Sequence, residues 1–143
     1  MSDKDRLRVQ RLQELMAEAG FDALVCRLPE NVVYISDYWP VHGISVAVLA
    51  QEGQPTLFIP EVEAEWGKPD WAEVVPYGWA LLKDPDQYDS YKRLLGEIGA
   101  KLGLQSAKIG VEKELEVVGT TYRHAEPIVP AAPWWEMLEQ VFP

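Results

Sequence analysis

The stretch Asn31-Val-Val-Tyr34-Ile-Ser-Asp-Tyr38-Trp39, directly after the apolar run Ala23-Leu-Val-Cys26, decides how this chain is read. Ala23 to Arg27 is short and almost continuously apolar, as a buried strand requires. Pro29 and Asn31 punctuate the next segment, so Asn31 to Asp37 is expected to begin as a turn. Upstream, Leu12, Leu15, Met16 and Ala19 recur at i, i+3, i+4 and i+7, which predicts a helix over Arg6 to Ala19. Gly20 stands where a left-handed cap belongs, and Phe21 can fold back on the last turn. Downstream, Ile44 to Ala50 and Thr56 to Ile59 read as strands, joined by a hairpin at Gln51-Glu-Gly-Gln54.

The rest of the chain continues the alternation. Glu61 to Trp66 reads as a short helix after Pro60. Glu73 to Tyr77 reads as a strand, and Pro76 places it at an edge or a strand end. Asp89 to Leu102 is a second long helix, with Tyr91, Leu94, Leu95, Ile98 and Leu102 as its core stripe and Gly103 as its cap. Ala107 to Glu112 is a strand, and Thr120 to His124 is one or two helical turns. Pro127 to Ala131 is extended, and Pro133 to Gln140 is a last helix with Pro133 at its start. Helices alternating with about five strands give an α/β layered domain, and the hairpin makes its sheet mixed.

Composition narrows the function. The 143 residues carry 23 acidic and 13 basic side chains, a formal net charge of −10. Phosphate backbones and anionic membranes are bound by clustered Lys and Arg, so neither nucleic acid nor membrane is expected as a partner. One cysteine, Cys26, excludes an internal disulfide. Met1-Ser-Asp-Lys-Asp-Arg lacks a signal-peptide core, and the longest apolar runs are far short of a membrane span. A cytoplasmic protein with residues 1–143 as a single domain is the expectation. The end at Phe142-Pro143, just after a predicted helix, reads as a cut.

No catalytic set emerges. There is no glycine-rich phosphate loop and no Walker lysine. Ser36, Ser45, Ser90 and Ser106 show no Gly-x-Ser-x-Gly elbow. Cys26, mid-strand among apolar neighbours, reads as an inert core thiol. The two histidines, His42 and His124, are far apart. Glu61, Glu63 and Glu65, like Glu112, Glu114 and Glu116, alternate without a nearby histidine and read as solvated acidic surface. Six tryptophans are many for this length. Adjacent Trp134 and Trp135 point about 100° apart on a helix, so at least one is expected at an interface or in solvent.

The order of a first helix, Gly20-Phe-Asp-Ala-Leu-Val, Asn31-Val-Val-Tyr-Ile-Ser, the hairpin at Gln51–Gln54 and Lys108-Ile-Gly-Val-Glu112 resembles the N-terminal domain of the creatinase, prolidase and aminopeptidase P metallohydrolases. The resemblance spans roughly residues 6 to 140. It implies a three-layer α/β fold, ribonuclease H-like, with a mixed sheet of about five to six strands and helices on both faces. It also implies that catalysis belongs to a C-terminal domain of the same polypeptide. There two divalent metal ions (manganese, cobalt or zinc) are held by two Asp, one His and two Glu. This chain has no counterpart to that set, so it is expected to hold no catalytic residue, metal ligand or cofactor.

By resemblance the partners are the C-terminal catalytic domain and a second copy in a homodimer. In such a dimer the segment Tyr38-Trp-Pro-Val-His-Gly43 reaches the neighbouring subunit's site. Trp39 and His42 are then the substrate-contacting candidates: indole as an apolar wall, imidazole as a donor to a substrate carboxylate. Against this, Trp39 can pack at a domain edge and His42 can be a turn residue. The family usually has a small residue, often Gly, where Asp37 stands, which puts the substrate class in doubt. The implied role is to shape the substrate pocket and support the dimer of an Xaa-Pro peptidase- or creatinase-like enzyme. The alternative is a stand-alone, non-catalytic module of the same fold that binds a small molecule or a protein. An independent small enzyme is disfavoured, because no acid, base and nucleophile converge.

Overall fold

The computed structural model describes residues 3–41, 43–65, 69–78, 87–113 and 131–143. The elements are α1 (Asp3–Ala19), β1 (Ala23–Cys26), α2 (Pro29–Ser36), β2 (Val46–Ala50), β3 (Thr56–Pro60), a 3-10 turn (Glu61–Glu63), β4 (Glu73–Tyr77), α3 (Gln87–Leu102), β5 (Ile109–Val111) and α4 (Ala131–Val141). The five strands make one mixed sheet in the order β4-β3-β2-β1-β5. β2 runs antiparallel to β1 and β3, while β5 is parallel to β1 and β4 is parallel to β3. Four strands therefore point the same way, with β2 reversed between β1 and β3.

The α/β expectation holds, with five strands among the described residues. Alternation along the strands explains the layering. Ala47 and Leu49 of β2 face α1 and α2, in a cluster with Val9, Met16, Val32, Ile35, Leu57 and Ile59. Val46 and Val48 face the other way, toward Tyr91, Leu94, Leu95 and Ile98 of α3 and Trp134, Met137 and Leu138 of α4. Both faces of the sheet are covered, which makes three layers.

The main departure from expectation lies directly after β1. Pro29–Ser36 is a helix, not a turn. Pro29 occupies its first turn, where the missing N–H costs nothing. Val32 and Ile35 are buried in the first cluster, and that packing outweighs the weak helix propensity of the β-branched run. α4 begins two residues before Pro133. After Pro60 the described residues form one 3-10 turn, Glu61–Glu63, rather than a helix. Leu15 and Leu102, assigned to core stripes, are 43% and 38% exposed. The readings of Trp66, Thr120 to His124 and Pro127 to Pro130 lie outside the described residues.

Two turns of chain set β1 and β5 side by side. α1 ends as the spacing predicts: Gly20 has φ 73°, its N–H donates to the Ala17 carbonyl at 3.0 Å, and the Phe21 N–H donates to Met16 at 2.9 Å. At Gly110 a Cβ would lie 2.5 Å from Leu24 Cδ2, so a larger residue there would make the Leu24 side chain shift.

Candidate functional site

Strand direction fixes where a site can form. The registers pair Cys26 with Ala47, Val46 with Phe58, Pro60 with Tyr77 and Val25 with Val111. The C-terminal ends of β1, β3, β4 and β5 thus share one edge of the sheet with the start of β2. In open α/β sheets that edge is where ligands bind. The loop from Asp37 to Ser45, which carries both residues singled out from the sequence, enters β2 there.

The loop is held firmly at its entry. Ser36 Oγ donates to the Val32 carbonyl at 2.7 Å and accepts from the Tyr38 N–H at 3.2 Å. Asp37 closes α2 in the left-handed region, with φ 58°, and donates its N–H to Val33. This is the conformation glycine adopts without penalty, so the structure supplies a physical reason for a small residue at this position. Tyr38 and Pro40 are both buried, and Trp39 between them is 64% exposed. The indole is therefore held out from the surface by two anchored neighbours. His42 lies outside the described residues.

The exit is held from the opposite face of the sheet. Tyr77 Oη donates to the Ile44 carbonyl at 2.7 Å. Tyr91 Oη lies 3.3 Å from that same carbonyl and 3.1 Å from Tyr77 Oη. With Tyr77 already donating, the single Tyr91 proton is shared between the two acceptors. The rings meet edge to face at 5.2 Å, and Tyr91 meets Trp134 in the same way at 6.2 Å. The Arg27 guanidinium lies over the Trp134 ring at 5.1 Å, which ties α4 to the end of β1.

Two carboxylates placed on the solvated surface by the sequence are buried. Glu63 is 0% exposed, and its Oε2 lies 3.5 Å from the Val41 N–H, at the long limit of a hydrogen bond. Glu112 is also buried and accepts from three donors: Arg27 N–H at 3.0 Å, Leu28 N–H at 2.8 Å and Asn31 Nδ2 at 3.1 Å. α2 has no side-chain cap of its own, because Leu28 stands at its N-cap. Glu112, just past β5, instead holds the helix start from outside, through the N–H groups of Arg27 and Leu28 that precede it and the Asn31 side chain in its first turn. The clue in the sequence is a helix start with no Ser, Thr, Asp or Asn where the cap belongs. Glu61 is half-buried, and Glu65 is exposed as expected.

Among the described residues no group of three or more His, Cys, Asp or Glu side chains converges as metal ligands. Glu112 already spends its oxygens on N–H donors, so the paired divalent metals of the resembling enzymes do not fit here. Cys26 is buried, and burial, followed by the Glu112 charge, pushes its thiol well above the ordinary range. It remains a protonated core side chain. Of the paired tryptophans, Trp134 is fully buried, whereas Trp135 is half-buried and donates Nε1–H to the Glu112 carbonyl at 3.3 Å. No helix among the described residues is long and apolar enough to cross a membrane.

Comparison with known proteins agrees with this fold. The family model of the Creatinase/Prolidase N-terminal domain matches residues 8–134. The chain is similar to the N-terminal domain of the Xaa-Pro dipeptidase from Lactobacillus brevis at 15% identity and TM-score 0.66, covering 95% of this chain and 88% of that one. It is similar to the prolidase from Thermococcus sibiricus at 15% identity and TM-score 0.67, covering 99% of this chain and 33% of that one. With the prolidase from Pyrococcus horikoshii OT3 the identity is 19% and the TM-score 0.58, over 94% of this chain and 30% of that one. The chain thus spans only about a third of the length of those two prolidases. At these identities the likeness shows the fold. No curated protein matches the chain.

Proposed function

Because this chain belongs to the Creatinase/Prolidase N-terminal domain family, we propose that residues 1–143 form the non-catalytic N-terminal domain of an Xaa-Pro peptidase- or creatinase-like metallohydrolase. In this reading the domain shapes the substrate pocket of a C-terminal catalytic domain and supports a cytoplasmic homodimer. The divalent metals belong to the catalytic domain. The observation that carries the reading is Trp39, 64% exposed between two buried neighbours. A large indole kept out of the core by a pinned loop is suited to wall a pocket built with another domain or subunit. His42, three residues on, would offer a donor to a substrate carboxylate. The net charge of −10 is consistent with a small-molecule or peptide substrate rather than nucleic acid.

The test begins with the coding sequence beyond Pro143. If it supplies the Asp, Asp, His, Glu, Glu ligand set, Trp39→Ala and His42→Ala are made in the full polypeptide and assayed on an Xaa-Pro dipeptide. A pocket wall predicts a KM raised several-fold with kcat little changed, because such contacts bind substrate and transition state alike. Unchanged KM in both variants would remove these residues from the site. A stop codon directly after Pro143 would favour the stand-alone binding module. The purified chain alone should not turn over an Xaa-Pro dipeptide with added manganese, and turnover there would overturn the non-catalytic assignment.

A further inference from the structure

We infer that Glu112 is a positioning residue: from the end of β5 it fixes the start of α2 and thereby sets where the following loop presents the Trp39 indole. Its purpose rests on the reading of Trp39 as a pocket wall; its geometry does not. No side chain of α2 caps the helix start, and unbonded N–H groups in a buried place are costly. Glu112 answers three donors at 2.8–3.1 Å, across as many as 85 residues of sequence. A carboxylate at this end also complements the helix dipole.

This hold is itself anchored. The Glu112 carbonyl accepts from Trp135 of α4. Its neighbour Val111 pairs with Val25 of β1. The main chain that carries the carboxylate is thus tied to β1 and α4. At the far end, α2 is only eight residues, about 12 Å long, and behaves as one rigid piece. Ser36, Asp37 and Tyr38 couple its last turn directly to the loop through the bonds at Ser36 Oγ and the Asp37 N–H. A displacement at Leu28 is therefore delivered to Trp39 just past the helix. Asn31 completes the arrangement by tying the first turn of α2 to the same carboxylate oxygen that Leu28 uses.

The experiment is fluorine NMR of this chain carrying 5-fluorotryptophan, with the Trp39 resonance assigned by Trp39→Phe. Glu112→Ala should shift or split the Trp39 resonance. Trp71, in the same core cluster as Val32 and Ile35 of α2, should move less than Trp39. Glu112→Gln retains one acceptor oxygen and should move Trp39 less, in the same direction. Amide exchange over Val32 to Ser36 should accelerate about tenfold in Glu112→Ala, a factor comparable to that of a typical lost cap. An unmoved Trp39 in either folded variant overturns the proposal. So does a Trp71 shift as large as that of Trp39, which would mean general loosening. If Glu112→Ala does not fold, Glu112→Gln alone decides by the same two criteria. No substrate enters the measurement. A moving resonance with an unchanged KM in Trp39→Ala would leave Glu112 in place and remove only the pocket reading.

Discussion

The two ends of the loop between α2 and β2 are held by different chemistry. At the entry one constraint is charged, a carboxylate on N–H groups, and it is joined by a hydroxyl on a carbonyl and a left-handed cap. At the exit the constraints are neutral and come from side chains: two tyrosine hydroxyls converge on the carbonyl of Ile44 from strand and helix. A charged acceptor in a buried place is strong while complete and expensive once broken. A pair of hydroxyls is weaker, but the second can replace the first. The difference teaches that the entry sets position and the exit provides tolerance.

Trp134 touches both ends, with Arg27 over one face and Tyr91 at its edge. Trp134→Ala should therefore show the largest effect, about 3–5 kcal/mol of lost stability in chemical denaturation. A loss under about 1 kcal/mol would mean the ends are not linked through α4. Glu112→Ala should cost about 2 kcal/mol, because the Arg27 and Leu28 N–H groups lose a charged acceptor. Tyr77→Phe should cost less, about 1 kcal/mol, since Tyr91 can donate fully to Ile44. The double variant Tyr77→Phe/Tyr91→Phe should then exceed the sum of the singles, whereas strict additivity in a double-mutant cycle would dissolve the idea of mutual replacement.

Cys26 precedes the entry and offers a pH test. Its folded thiol titrates above the ordinary value of 9.0, so its stabilising share is whole below pH 9 and declines as pH rises beyond it. The slope approaches about 1.4 kcal/mol per pH unit, and Cys26→Ala should abolish that component of the alkaline loss. The smallest effect should be a gain: Asp37→Gly relieves a left-handed φ of 58° and should stabilise by a few tenths to about 1 kcal/mol. A loss there would show that the carboxylate of Asp37 has a role of its own.

Much of the fold was legible because it rests on local periodicity. The stripes of α1 and α3, the hairpin of β2 and β3, and the edge position of β4 follow from residue spacing and from Pro76. α2 was not legible, because Val32, Val33 and Ile35 disfavour a helix locally and only the opposite sheet face rewards one. Of the candidate site, Trp39 was named through the resemblance, by its position in Tyr38–Gly43, and the structure adds its exposure between two buried neighbours. Its supports were hidden. Glu63 and Glu112 look like surface acids in sequence, and only tertiary contacts reveal their partners. Tyr91 reads as part of a core stripe and Tyr77 as the end of a strand, which says nothing of where their hydroxyls go.

The hold on α2 also imposes an order of assembly. Its acceptor lies 84 residues beyond Leu28, and β5, which carries it, pairs with β1 at the same separation scale. Contacts this distant in sequence form late, because chain closure must precede their reward. A nascent chain can therefore build α1 and the β2–β3 hairpin early, while the helix between them stays unfinished until residue 112 arrives. The tryptophan loop would be the last part of the first half to take its place, waiting on a residue from the second.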